Sequence, residues 1–191
     1  MANRKLFIEV LAHVELEPET WQQANWMSAP PLHLQLDKLP EERQVLGQFD
    51  LSQEEVESVH GVACGTAACI AGWACLLSGA RPRWYANSYP AENVAIVSVD
   101  NRNVEYKGRI HTVNDLAHRL LGMAILSPET RSDLFDGKNT KDEVYRISAE
   151  YLDLPMSELH RLVDERVEGI LADRAELLAE LRRKAKARAT A

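Results

Sequence analysis

Between Cys64 and Leu77 the chain reads Cys-Gly-Thr-Ala-Ala-Cys-Ile-Ala-Gly-Trp-Ala-Cys-Leu-Leu, without a single charge. A run of this length cannot span a bilayer, which takes about 20 apolar residues, so the rest of the chain has to bury it. Residues 66–78 are expected to form a helix that stops at Ser78-Gly79, glycine supplying the left-handed turn that ends many helices. On that helix Ala68 and Gly72 share one side, while Ala67, Ala71 and Cys75 share another. Small side chains let neighbouring backbones approach closely, which offsets the roughly 1 kcal/mol that glycine costs a helix relative to alanine. Trp73 fills the space beside this thin surface. The pattern implies a central helix clasped by others.

The flanking segments carry weaker patterns. Leu6, Phe7, Val10, Leu11 and Val14 recur at helical spacing. Pro18 opens a short helix through Trp21 toward Trp26, and Leu32, Leu34 and Leu36 then alternate as in an extended segment. Ser52 with Glu55, and Thr140 with Glu143, have the spacing of capping boxes; Thr112 is a simple N-cap. Residues 81–90 read as a loop, and residues 94–99 and 104–106 as a β-hairpin turned by Asp100-Asn101-Arg102-Asn103. Ser127-Pro128 starts a short helix ending near Gly137. Pro155 opens the last and longest helix, with an apolar stripe from Leu159 to Leu181 that is interrupted at Arg174. The expected fold class is mainly α. Residues 1–152 form a single compact helical core domain with a small antiparallel β-hairpin, and residues 153–191 form a long amphipathic C-terminal helix with a basic tail. The 191 residues are enough to bury such a core.

The charge is uneven. The chain carries −7 overall, yet its last ten residues hold five bases and no acid. An acidic body repels phosphate backbones, so nucleic acid is not an expected partner. Three cysteines, an odd number, make a poor disulfide framework, and the N-terminus has no secretory pattern. A cytoplasmic protein with no membrane segment and no cofactor is expected. The C-terminal stripe is longer than one core can cover, so a homo-oligomer through this helix is expected as well.

Three places can carry chemistry. A Cys64 thiol near a helix capped by Thr66 would be drawn toward the thiolate by the helix dipole, and His60 four residues upstream would complete a minimal nucleophilic pair. A free cysteine more often simply packs. A zinc site from His60, Cys64, Cys69 and Cys75 is not expected, since Cys69 and Cys75 stand about 240° apart around a helix. The third place is the segment with Arg81, Arg83, Trp84, Tyr85 and Tyr89, whose aromatics and arginines could stack on and grip a small anion.

The Cys-Gly-Thr-x-x-Cys-x-Ala-Gly-Trp segment resembles that of small uncharacterised proteins from actinobacteria and their bacteriophages. Leu120-Leu121-Gly122-Met123, Leu134-Phe135-Asp136-Gly137 and Asn139-Thr140 are similar to the second half of such proteins. The resemblance covers roughly residues 60–152 and implies a phage or actinobacterial origin; it implies no activity. The expected function is a non-enzymatic binding protein that recognises a host protein or a small anionic ligand at Arg81, Arg83, Trp84, Tyr85 and Tyr89. The alternatives are a cysteine-dependent enzyme with Cys64 as nucleophile and His60 as base, and a structural subunit of a larger particle.

Overall fold

Helix α1 (Arg4–Leu16) begins where Asn3 accepts the Leu6 amide on its side-chain oxygen at 3.2 Å. The amide groups of Asn3 reach across to the carbonyls of Leu120 and Leu121, tying this start to the end of a helix far along the chain. The computed structural model describes residues 2–16, 18, 27–28, 32–39, 41–52, 55–56, 67–123 and 133–189. The helix expected between Pro18 and Trp26 and the one starting at Ser127 fall largely outside these residues, as do Cys64, His60 and Thr66.

Two short strands, β1 (Met27–Ser28) and β4 (Ala67–Ala68), pair with each other. The main sheet is antiparallel throughout, in the order β2 (Leu32–Gln35), β6 (Val94–Tyr106), β5 (Arg81–Tyr89), β3 (Gly47–Leu51), with β7 (Arg109–Thr112) also paired to β6. Strand β6 is the spine. Its first half pairs with β2, its last residues pair with β7, and β5 runs beside both halves.

This architecture corrects the mainly α expectation: the fold is α+β, built on a five-stranded sheet rather than a small hairpin. Two local readings account for the difference. Residues 81–89 form a nine-residue strand and not a loop. Its Pro82, Asn87 and Ser88 weaken any strand signal in sequence, but pairing on both sides supplies the backbone partners that intrinsic preference does not. Residues 100–103 are not a reversal either. Between Pro82 and Trp84 the register shifts, so that β6 passes from Val104 to Val99 while β5 advances two residues. The extra residues are folded onto Asp100, whose Oδ1 accepts the Arg102 and Asn103 amides at 2.9 and 3.1 Å. Asp and Asn make turns by this means, but here the turn is an irregularity within one strand.

One face of the sheet is covered. Trp84, Ala86, Ala95, Val97, Val99 and Val104 are buried, against α2 (Ile70–Leu77) and α3 (Val113–Leu120). The apolar run supplies only eight helical residues, because Ala67 and Ala68 belong to β4. Those eight still behave as a central helix: Ile70, Ala71, Gly72, Ala74 and Cys75 are buried, and α1 and α3 pack on α2. Gly79, with φ of 86°, ends it; the Ala80 amide bonds the Cys75 carbonyl at 3.0 Å and the Gly79 amide bonds Leu76 at 2.9 Å. Thr112 caps α3 by accepting the Asp115 amide at 3.2 Å. Thr140 and Glu143 form the capping box of α4 (Lys141–Leu152), and Ser52 with Glu55 exchange the same pair of bonds at 3.1 and 2.8 Å. The last helix, α5 (Met156–Ala189), packs on α1 and α4. No described helix is long and apolar enough to cross a membrane.

Candidate functional site

The five residues singled out at 81–89 are divided by the pleat of β5. Trp84 is 2% exposed and points into the core, level with Leu51 on β3 and Val99 on β6. Tyr85 and Tyr89 lie on the opposite face, because successive strand residues alternate sides. Directly opposed residues in an antiparallel pair share a side, so the register identifies the rest of that outer face. Tyr85 stands between Asp50 and Ser98, Asn87 between Gln48 and Ile96, and Tyr89 beside Val94. On β2, His33 continues the row from Ile96 and Gln35 the row from Val94. Tyr89, His33, Gln35, Gln48 and Asp50 are exposed, and Tyr85, Asn87, Val94, Ile96 and Ser98 are half-buried. The face away from the helices is thus a four-stranded surface of aromatic, aliphatic and neutral polar groups. Just before β3, Val45 and Leu46 are 63% and 77% exposed, and Ser88, on the core side of β5, donates its hydroxyl to the Val45 carbonyl.

The arginines are less available than the tyrosines. Arg83 donates to Asp50 at 3.0 Å and lies 3.7 Å from Asp100. Arg81 stands opposite Glu105. Both line a cleft of about 640 Å³ together with Arg43, Asp50, Glu55 and Glu105, among others. Arg43 is itself bonded to Glu55. Among its described residues three cations face three carboxylates, which leaves no excess of cations there to attract a small anion. The Arg43–Glu55 contact and the Ser52 amide hold the Glu55 carboxyl below its ordinary range, the amide contributing most.

The described cysteines are core residues, held in the thiol form by burial. Cys69 and Cys75 are buried, and burial pushes the Cys75 thiol up to about 12 and the Cys69 thiol up as well. The Cys75 thiol donates to the Val113 carbonyl at 3.5 Å. Among the described residues no cluster of His, Cys, Asp and Glu is placed to hold a metal ion. His111, on β7, accepts a hydrogen bond from Arg119 at 2.8 Å and stacks edge-on against Tyr106. The two outer tyrosines stand out in the sequence, but their neighbours His33, Ile96 and Ser98 do not. Residues 94–99 are nearly all apolar, so their pattern does not distinguish the two faces. Compared with known protein families, curated proteins and solved structures, the chain gives no match.

Proposed function

We propose that this chain is a non-enzymatic binding protein that recognises another protein through the open face of its sheet. The observation that carries the reading is the in-register surface around Tyr85 and Tyr89, on the side that no described helix covers. Tyrosine offers a large amphipathic contact area at low entropic cost, and aromatic residues are enriched at protein interfaces. Val94 and Ile96 add apolar area between the two rings and the β2 edge, while Asn87, Gln48, Gln35 and Ser98 supply hydrogen-bonding groups around them. The balanced charge of the neighbouring cleft favours a protein over a small anionic ligand, because a small anion needs an excess of cations. The resemblance to actinobacteriophage proteins makes a host protein the natural class of partner.

Site-specific photo-crosslinking tests the reading. A photoreactive residue replaces Tyr89 in one protein and Arg161, on the far helix, in another; both are irradiated in actinobacterial extract. A discrete adduct from position 89, absent from position 161 and lost when Ile96→Asp is added, is expected. The same adducts from both positions, or none from 89, would overturn it.

A further inference from the structure

Helix α5 outruns the body that supports it. Arg4 lies 3.8 Å from Glu158, and Arg166 holds Glu9 through two bonds, so α1 and α5 lie side by side and run in the same direction. Both helices rise about 1.5 Å per residue. The end of α1 at Leu16 therefore falls level with about residue 170 of α5. Burial ends at the same place. Leu159, Val163 and Ile170 are at most 7% exposed, whereas Leu171, Leu177, Leu178 and Leu181 are 50–56% exposed. These four leucines are not scattered. Leu177 follows Ile170, and Ile170 follows Val163, by seven residues, which on a helix returns to within about 20° of the same direction. The face that α1 covers thus continues, uncovered, along residues 171–185, roughly 22 Å of helix.

The charges along α5 identify what fits this face. From residue 165 to residue 180 there are five acids and two bases; beyond Leu181 there are five bases and no acid. We propose that the exposed leucines are covered by a second copy of this chain, the two α5 ends pairing antiparallel about Leu178 and Leu181. Antiparallel pairing sets Leu178 of one copy against Leu181 of the other, and lays the basic residues 182–188 of each along residues 171–177 of its mate, where Asp173 and Glu176 outnumber Arg174. A parallel pair would instead bring five bases against five at the 8–10 Å separation of packed helices, about one Debye length at physiological salt. At Arg174 the apolar seam is interrupted, and the antiparallel register places the small Ala185 opposite it, leaving room for the long side chain to reach solvent.

The test uses the full chain. Sedimentation equilibrium over a micromolar-to-millimolar series is expected to show twice the 21.5 kDa chain mass. The Leu178→Glu/Leu181→Glu variant is expected to sediment as a monomer, with an unchanged far-ultraviolet circular dichroism spectrum, because both residues are exposed in the single chain, and with a melting temperature that no longer rises with protein concentration. Orientation is read by mixing Arg174→Cys and Ala185→Cys copies under mild oxidation, with the unsubstituted protein as the control for its own thiols. A disulfide that forms between the two kinds of copy, and not within Ala185→Cys alone, supports the antiparallel pair. A monomer at every concentration, a dimer that survives the double substitution, or self-linked Ala185→Cys overturns the proposal.

Discussion

Replacing Trp84 and Tyr89 one at a time tests the reading of β5 that underlies the fold and the binding face. Trp84 is 2% exposed, packed between strands whose opposed residues are Leu51 and Val99. Trp84→Ala removes the indole from a core position where little can collapse to refill it, a change that costs about 3–5 kcal/mol. For a chain of this size each 1 kcal/mol lowers the melting temperature by roughly 2–4 °C, so a drop of roughly 6–20 °C is expected. Tyr89 is 39% exposed on the other face, and Tyr89→Ala is expected to stay within about 0.5 kcal/mol of the parent. Thermal unfolding followed by far-ultraviolet circular dichroism measures both. Equal, small losses for the two variants would mean that residues 81–89 are the irregular loop their composition suggests, and the outer face would lose its scaffold.

Gly72 is buried in the central helix, and Gly72→Leu is expected to overpack it, costing about 1–3 kcal/mol or more; an unchanged melting temperature would show that side to be open. Cys69 and Cys75 are expected to resist alkylation at every pH at which the fold persists, with Cys75 held up to about 12 by burial; fast native-state labelling of either, located by mass spectrometry, would contradict their packing. Glu9 is held below its ordinary pKa chiefly by its hydrogen bond from Arg166. A carboxyl lowered in the folded state adds stability above its unfolded pKa and loses it as pH falls through the folded value. Denaturant titrations of the parent and Arg166→Met are therefore expected to differ at neutral pH and to converge below about pH 4.5, the ordinary value; a gap that persists into strong acid would assign the effect to packing instead.

Much of the chain was legible as local chemistry. The caps at Thr112 and Thr140 and the stop at Gly79 lie where short-range rules place them, since each depends on hydrogen bonds within a few residues of its own backbone. The long last helix follows from a periodicity sustained over many turns. That Ile70, Ala71, Ala74 and Cys75 are central follows from their small, uncharged side chains, which have no other favourable place. The Cys64 and His60 readings lie outside the described residues.

The sheet, by contrast, was decided by partners distant in sequence. Asp100 to Asn103 have the composition of a hairpin turn, but Asp100 spends its hydrogen bonds on an irregularity while β5 and β7 hold β6 on course. Residues 81–89 carry too little strand preference to be recognised alone, and become a strand because β3 and β6 bond them from both sides. The same pairing sends Trp84 inward and leaves Tyr85 and Tyr89 outside, dividing what composition groups as one aromatic cluster. Local bonds can be read from neighbouring residues, but the side on which a side chain falls depends on which strand lies opposite, and only the folded chain determines that.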